Sequence, residues 1–386
     1  DVNGLDVLVV MHDACDLRSL TNQASNLVKI AWIRREPERW VRQPWFGAFD
    51  LCWCGDEQAA AYVREQARRD SRVLRLMAGA QEFKTLLSEF VRERWRIAIK
   101  VPAPSHAIKH EWGDYHFALA LKAEFELLGH SVRIDLLPEW DTPLGMGDDV
   151  VLVLRGLSRY EPKPGQVNLL WLISHPEEVT PEEYASYDCV LTASLQFAEN
   201  LRCAPRPVAA YPLLQCTDTH VFFRDEDPEV PAHEVLFVGN SRKRRRRIVM
   251  DAIASGLPLS VYGSQWEGLI PAEYIKGQHI PNSELRKYYS RAAVVLNDHW
   301  PDMSEQGFIS NRIFDAGACG ACVVSDTVQG LEEVFPEGVT VYNGGAEDLK
   351  CKVTELLKSR ALREERGACL KAAVDGKHTF TLRAAR

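Results

Sequence analysis

The strongest constraint on the fold is an alternation of short apolar runs and helical segments that occurs twice, at 5–69 and again at 148–201. Strands separated by helical segments predict a parallel sheet, so we assign the chain to the α/β class. Such a repeat indicates that residues 1–95 form the second half of a Rossmann-like domain without its first half, with chance similarity between βα units as the alternative. Three pairs of stretches correspond: DVLVVMHD with DVVLVLRG, KIAWIRREPE with LLWLISHPEE, and FDLCWCGDEQAAAYV with YDCVLTASLQFAENL.

The first copy is predicted to form an incomplete sheet. Its strands are predicted at 5–11, 28–33, 49–54 and 72–77, and its helices at 56–69, which Asp56 caps, and 81–94. Because half a sheet leaves an open edge, this segment should pack against residues 96–223 or against upstream sequence. The chain begins at Asp1 and not at methionine, so we expect a fragment or a processed form.

Two further segments each have the pattern of a Rossmann-like domain. A strand at 96–102, a loop rich in histidine and tryptophan, a helix that ends at Gly129 and a strand at 131–137 form an opening βαβ unit. This unit has no GxGxxG fingerprint, so a tightly held dinucleotide is not indicated. After a linker rich in proline and charge at 224–234, a second βαβα series begins. The predicted domains are therefore 1–95, 96–223 and 224–373, followed by a tail at 374–386.

Composition narrows the functional class. With 46% hydrophobic and 26% charged residues, the chain is typical of a soluble globular protein, and its net charge of −8 argues against general nucleic-acid binding. Its apolar runs have strand length and no signal peptide is recognised, so we expect a cytoplasmic protein, with peripheral membrane association left open. The ten cysteines are scattered, and Cys52 and Cys54 lack the second pair that a zinc site needs.

The stretch 305–331 carries the clearest ligand-binding signal. It combines a small-residue turn, a short amphipathic helix and a buried β-branched run. Ser310 or Asn311 can cap the helix, whose free amides would then attract an anion, and Asp315 one turn in suits a sugar hydroxyl. An ordinary βα unit is the alternative.

Several stretches of the last domain resemble the donor domain of GT-B glycosyltransferases. The resemblance is closest to the retaining family-4 (group 1) type and its CgeB-like branch, and NRIFDAGACGACVVSD is its most specific part. LLQCTDTHVFF resembles the linker into that domain, and WGDYHFALALKAEFELLGHSV resembles the opening of the acceptor domain. The resemblance thus covers 96–386. The other matching stretches are VLFVGNSRKRRR, VYGSQW, IPNSELRKYYSRAAVVLND and YNGGAEDL.

The resemblance implies a GT-B fold, with two Rossmann-like domains whose parallel sheets face a cleft, here preceded by the partial α/β segment. It also implies that a nucleoside-diphosphate sugar, such as a UDP or GDP sugar, lies in the cleft and that no metal or other cofactor is needed. The acceptor would be a hydroxyl of a glycan, a lipid-linked glycan or a protein, as in polysaccharide biosynthesis.

The implied diphosphate site consists of a glycine turn with basic residues and a helix start. Gly239 with Arg242 and Lys243 fits the turn, because cations and free amides neutralise a diphosphate, whereas most of the run 243–247 is predicted to be a solvated helix face. The amides at 309–311 fit the helix start. The expected donor-binding residues are Gly239, Asn240, Arg242, Lys243, Tyr262, Gly263, Ile309, Ser310, Asn311, Arg312 and Asp315.

One position departs from the family pattern. The family's donor domain carries two glutamates spaced Glu-x7-Glu, but here the second position is Asp315 and the first is Gly307, with Glu305 two residues early. This departure weakens the prediction of a sugar-contacting carboxylate. Asp315 stays a candidate for the ribose hydroxyls, with a helix-surface aspartate as the alternative.

On the acceptor side, His175 stands where related enzymes place an active-site histidine, and its counterpart in the first copy is Glu36. His110 and Asp114 lie in the loop after the strand at 96–102, which should face the cleft because ligands bind at the carboxyl ends of strands. A retaining transfer needs no protein nucleophile. An inverting one would need a general base, for which Asp114 or His110 is the first candidate.

Three functions are compatible with these features. The first is a glycosyltransferase, the second a non-catalytic GT-B module that scaffolds a glycan-assembly protein, and the third a sugar-nucleotide epimerase of the same fold. Turnover of a sugar nucleotide, with and without an acceptor, separates them.

Overall fold

The computed structural model of the chain describes residues 7–16, 28–69, 71–74, 94–142, 145 and 147–385. The chain divides by its contacts into two compact units, Asp1–Trp95 with Glu126–Ser131 and Arg96–Phe125 with Val132–Arg386. The helix predicted at 81–94 lies, except for its last residue, outside the described residues, and the predicted domain boundaries stay predictions. None of the helices in the described ranges is long and apolar enough to cross a membrane.

The first unit contains a parallel four-stranded sheet in the order β1-β2-β3-β4. The predicted cap is confirmed, because Asp56 Oδ1 accepts a hydrogen bond of 2.8 Å from the amide of Ala59. Apolar side chains from the strands and from both helices form one buried cluster on the sheet. The elements are β1 (Val7–Val10), β2 (Val28–Ile33), α1 (Pro37–Val41), β3 (Leu51–Cys54), α2 (Glu57–Ala67) and β4 (Ser71–Val73).

The second unit contains two sheets, as predicted for two Rossmann-like domains. The acceptor-side sheet has six strands in the order β10-β9-β8-β7-β5-β6, parallel from β10 to β5. Its elements are β5 (Arg96–Val101), α3 (Gly113–Leu127), β6 (Ser131–Leu136), β7 (Val150–Arg155), β8 (Val167–Leu172), α4 (Pro181–Ala185), β9 (Cys189–Thr192), α5 (Leu195–Arg202) and β10 (Ala210–Pro212).

The donor-side sheet also has six strands, all parallel, in the order β13-β12-β11-β14-β15-β16. Apolar clusters cover both of its faces. Its strands are β11 (His233–Val238), β12 (Leu259–Tyr262), β13 (Ile275–Gly277), β14 (Ala292–Asn297), β15 (Val323–Asp326) and β16 (Val339–Tyr342). Its helices are α6 (Arg247–Ala254), α7 (Leu285–Arg291), α8 (Pro301–Glu305), α9 (Asn311–Ala318), α10 (Leu331–Val334), α11 (Ala346–Lys358) and α12 (Arg360–Lys377).

Strands β1 to β4 correspond to β7 to β10 in order, direction and hydrogen bonding. Asp50 Oδ2 accepts from the Lys29 amide at 2.7 Å, and Asp188 Oδ2 accepts from the Asn168 amide at 2.8 Å, each ahead of the third strand of its copy. The two copies therefore share side-chain contacts as well as a hydrophobic pattern.

A tryptophan in the second strand of each copy makes an equivalent bond. Trp32 Nε1 donates to the Leu74 carbonyl at 3.4 Å, and Trp171 Nε1 donates to the Leu213 carbonyl at 2.8 Å. Each indole thereby ties its strand to the residue that follows the fourth strand.

A short C-terminal helix, α13 (Phe380–Ala384), packs against the acceptor-side domain. Phe380 is 5% exposed and belongs to the apolar cluster of that domain, where its ring lies edge-on to Phe117 with centroids 4.6 Å apart. Arg383 Nε donates to the Leu214 carbonyl at 2.7 Å. The end of the chain thus stabilises a domain formed mainly by earlier residues.

We expect Phe380→Ala to lower the free energy of unfolding by about 3 kcal/mol, because it removes a buried ring and leaves a cavity. Denaturant unfolding followed by tryptophan fluorescence measures the change. The matched control is Leu382→Ala in the same helix, where the side chain is 40% exposed and little change is expected. Equal losses in the two variants would contradict this role of Phe380.

Candidate functional site

The candidate site lies in the second unit, where residues that follow strands of both sheets come together. Sheet order reverses between β5 and β7 and between β11 and β14, and such switch points bind ligands at their carboxyl ends. His175, after β8, lies 3.7 Å from Asp302 of the donor-side domain. Asp114, after β5, interacts electrostatically with Arg242, after β11. The cleft expected from the sequence is therefore formed by the predicted loops.

Two guanidinium groups meet at the glycine turn after β11, and a third lies close enough to interact electrostatically with both. A Cβ built on Gly239 would lie 2.8 Å from Arg312 Nη2 and 3.2 Å from Arg246 Nη1. Arg242 lies with its guanidinium 4.6 Å from the centre of the Trp300 ring. Any side chain at position 239 would therefore crowd the guanidinium groups of Arg246 and Arg312.

The cluster carries more positive charge than its neighbours neutralise. Asp298 pairs with Arg246, with Nε and Oδ2 2.9 Å apart, and Arg312 Nη1 donates to the neutral Asn297 Oδ1 at 2.8 Å. Arg242 is exposed to solvent, but partial burial of its guanidinium lowers its pKa. The nearby positive charges of Arg246 and Arg312 lower this pKa further. Burial and Arg246 likewise lower the pKa of Arg312. Cations held this close attract an anion.

Gly263 allows the turn to close. Its φ of 147° is strained for other residues, and a Cβ there would overlap the Gly239 carbonyl. The Asn240 side chain accepts from the Ser264 amide at 2.8 Å, which joins the loops after β11 and β12. Gly263 and Asn240 therefore shape the turn, and neither residue carries a charge.

The basic run is arranged differently from the sequence prediction. Lys243 is exposed. Within the described chain it is held by its main-chain amide, which donates to Ser241 Oγ at 3.1 Å. Arg246, expected on a solvated helix face, is instead in the cluster. The reason is that Arg242 and Lys243 have left-handed main chain, with φ of 54° and 60°, so the helix begins only at Arg247. Helical periodicity could not place Arg246, because this residue lies before the helix begins.

The helix start at 309–311 is less open to a ligand than predicted. The Ser310 amide donates to His299 Nε2 at 2.9 Å, and His299 Nδ1 lies 2.6 Å from Asp326 Oδ1, so this amide is already bonded. Ile309 is buried in the apolar cluster. Asn311 Oδ1, by contrast, is buried without a hydrogen-bond partner among the described residues.

Asp315 is bonded within the protein at both oxygens. Oδ1 accepts from Thr217 Oγ1 at 2.7 Å, and Oδ2 accepts from Asn311 Nδ2 at 2.9 Å. Burial raises the pKa of Asp315 to about 7. The residue thus joins α9 to the linker that precedes the donor-side domain and is not a helix-surface aspartate, whereas its contact with the ribose hydroxyls stays a prediction.

Gly307 cannot be replaced by the family's glutamate without rearrangement. Its φ is 76°, and a Cβ would lie 3.0 Å from Ser194 Oγ and 3.1 Å from the Gln329 carbonyl oxygen. Glu305 is exposed at the end of α8. The missing carboxylate therefore reflects close packing between the two domains.

Tyr262 is a core residue in this structure. Its hydroxyl lies 3.2 Å from His233 Nε2 and its ring packs on Tyr288, while its carbonyl accepts from the Gly239 amide at 2.8 Å. Its side chain lies in the apolar cluster, so only its main chain contacts the glycine turn.

Asp114 is the acidic group of the acceptor side. A Cβ built on Gly156 would lie 3.5 Å from Ser174 Oγ and 3.7 Å from Asp114 Oδ2, so the residues after β7 and β8 meet the first turn of α3 here. Burial raises the pKa of Asp114 to about 6, against the opposing effect of Arg242. A carboxylate with such a pKa can accept a proton near neutral pH.

His175 lies between the two domains with left-handed main chain, at φ 53° and ψ 56°. Its ring centroid is 5.5 Å from that of Trp300, and burial lowers its pKa although Asp302 opposes the shift. Glu36, its counterpart in the first copy, has the same φ and ψ.

His110 does not meet these groups. Its carbonyl accepts from His116 Nε2 at 2.9 Å, and its exposed ring packs edge-on to Tyr115. Its contacts are thus with Tyr115 and His116 of α3.

Comparison with known proteins supports the fold assignment. Residues 242–386, less than half of the chain, match the family described as glycosyl transferase-like. A glycosyltransferase from Rickettsia africae is similar in structure, with 12% identity and a TM-score of 0.53 over 76% of this chain and 96% of that one. No curated protein matches by sequence.

Two other solved structures are similar over comparable lengths. An α-glucosyltransferase in complex with UDP and a 13-mer DNA has 14% identity and a TM-score of 0.54 over 74% of this chain and 96% of that one. HepE from Anabaena, in complex with UDP and glucose, has 11% identity and a TM-score of 0.52 over 75% of this chain and 97% of that one. The chain therefore has the GT-B fold.

The ionisation of Asp315 should make stability depend on pH. Its pKa in the folded chain, about 7, lies above the ordinary 3.8, so the folded state keeps a proton that the unfolded state has released. Stability at this residue is therefore lost as the pH rises from 3.8 towards 7, and the loss levels off above 7. Asp315→Asn, which stays neutral, should gain in melting temperature relative to the wild type between pH 5.5 and 8.5. A constant difference between the two across that range would contradict the assignment.

Proposed function

We propose that the chain is a glycosyltransferase, of the CgeB-like branch, that moves a sugar from a nucleoside-diphosphate sugar to a hydroxyl acceptor with retention of configuration and without a divalent metal. The observation that carries the proposal is the cluster formed by Arg246 and Arg312 at Gly239 with Arg242 close to both, at the switch point of the donor-side sheet. Three guanidinium groups match the charge of a diphosphate, and they stabilise it further as it leaves.

Each part of the site has a separate role in this proposal. The arginines hold the diphosphate, and the unpartnered Asn311 Oδ1 accepts a hydrogen bond from the nucleoside. Asp114, across the cleft from Arg242, orients the acceptor hydroxyl. His175 and Trp300 close the space between the two domains.

Arg246→Ala should weaken binding of UDP or GDP at least about tenfold, because a charge-assisted hydrogen bond contributes roughly 1.5–3 kcal/mol. Isothermal titration calorimetry of the full chain measures this change. The matched control is Lys243→Ala, which removes a neighbouring cation outside the cluster and should change affinity little. A larger loss in the Lys243 variant would contradict the assigned diphosphate site.

Asp114 should make the transfer rate depend on pH. Its pKa is about 6, so protonation below that value removes the oxygen that accepts from the acceptor hydroxyl, and kcat/KM should fall below pH 6 and level off above it. Asp114→Asn should lose this dependence together with at least about tenfold in rate. A pH profile that is the same in both proteins would refute this role.

The raised pKa of Asp114 also favours a second candidate, an inverting transfer in which Asp114 is the general base. Nuclear magnetic resonance of the product's anomeric proton separates the two reactions. Inversion, with a loss of about 10²–10⁴ in rate for Asp114→Asn, would replace our first proposal with this one. Nucleotide binding without any turnover would favour the non-catalytic module.

A further inference from the structure

A second cavity adjoins the guanidinium cluster. It has a volume of about 390 Å³ and shares Arg246 and Asp298 with the cluster. It lies at the carboxyl ends of β14, β15 and β16, on the side of β11 away from β12. This volume is in the range of small-molecule sites. A group attached to a phosphate at Arg246 would therefore enter this cavity.

The lining of the cavity is unusually basic. Arg244, Arg245 and Arg247 line it in addition to Arg246. Within the described chain, the guanidinium groups of Arg244 and Arg245 have no hydrogen-bond or ion-pair partner, although that of Arg244 lies 5.7 Å from the centre of the Trp300 ring. The nearest acid to Arg247 is Asp251, at 3.7 Å.

The two carboxylates of the cavity are already paired. Asp298 binds Arg246 through both oxygens. Asp326 accepts from the His299 amide at 3.0 Å and contacts the His299 ring at 2.6 Å. Arg244 and Arg245, whose guanidinium groups have no acidic partner in the described chain, therefore leave the cavity with an excess of hydrogen-bond donors and of positive charge.

Arg247 has a defined place at the rim. Gly344 has a φ of 92°, and a Cβ on it would overlap the Arg247 guanidinium. Because Gly344 has no side chain, the Arg247 guanidinium can lie directly against the main chain of the loop after β16. The Arg247 side chain is 73% exposed and its ion pair with Asp251 is long, so its planar guanidinium can still bind a carboxylate through two hydrogen bonds.

We propose that this cavity receives the transferred sugar and that this sugar carries a carboxylate, as a hexuronic acid does. The inference rests on the proposed function and specifies its donor. A neutral hexose would be bound best by carboxylates that accept hydrogen bonds from its hydroxyls. Position 307 is a glycine and has no carboxylate, and the two acids of the cavity, Asp298 and Asp326, are already paired. A uronic carboxylate instead pairs with the arginines, while Thr327 and Asn343, whose side chains contact each other at 3.5 Å, offer further polar groups to its hydroxyls.

The test compares acidic donors with their neutral counterparts on the full chain. UDP-glucuronic acid is compared with UDP-glucose, and GDP-mannuronic acid with GDP-mannose, by kcat/KM for donor turnover. In the pair whose nucleotide binds, the acidic donor should be preferred at least about tenfold, as expected for one charge-assisted contact. A preference for the neutral donor would overturn the inference.

Two variants locate the carboxylate. Arg247→Gln and Arg245→Gln should each lower kcat/KM for the acidic donor several-fold more than for the neutral one, with the affinity for the free nucleotide unchanged. Arg206→Gln is the matched control, since its side chain is 82% exposed on the acceptor-side domain. Equal effects on both donors would overturn the inference. Absence of any nucleotide binding would instead refute the proposed function itself, and with it this extension.

Discussion

The site depends on a close approach of main chain and cations at Gly239. Like charges repel, and contacts with Asp298, Asn297 and the aromatic ring of Phe237 help to hold Arg246 and Arg312 beside this turn. The absence of a side chain at Gly239 gives both guanidinium groups access to the same point. Without an anion this arrangement is electrostatically unfavourable, which is the usual condition of a preformed anion site.

The two domains of the second unit are joined by apolar packing as well as by polar contacts. Met303 and Phe308 come from the donor-side half of the sequence but are buried in an acceptor-side cluster, next to Phe197. Ser194 hydrogen bonds to the Gln306 carbonyl at 2.6 Å in the same region. This docking explains why position 307 is a glycine, and it fixes Trp300 between Arg242 and His175.

Strand positions and the sheet class could be predicted from the sequence, because apolar runs and capping residues such as Asp56 are local signals. The positions of Arg246 and Asp315 could not. Arg246 depends on left-handed main chain at Arg242 and Lys243, and the bond from Thr217 to Asp315 joins residues far apart in sequence. Likewise, nothing local distinguishes His110 from Asp114, although only Asp114 meets Arg242.

The repeated turn at Glu36 and His175 has a consequence for how such a site changes. Both residues adopt the same left-handed main chain before a proline, although one side chain is acidic and the other is an imidazole. The same left-handed conformation thus occurs at the same strand exit with two side chains of different chemistry. A residue at this turn can be exchanged for another of different charge while the loop keeps its path. The two segments thus share a backbone position that accommodates side chains of different chemistry.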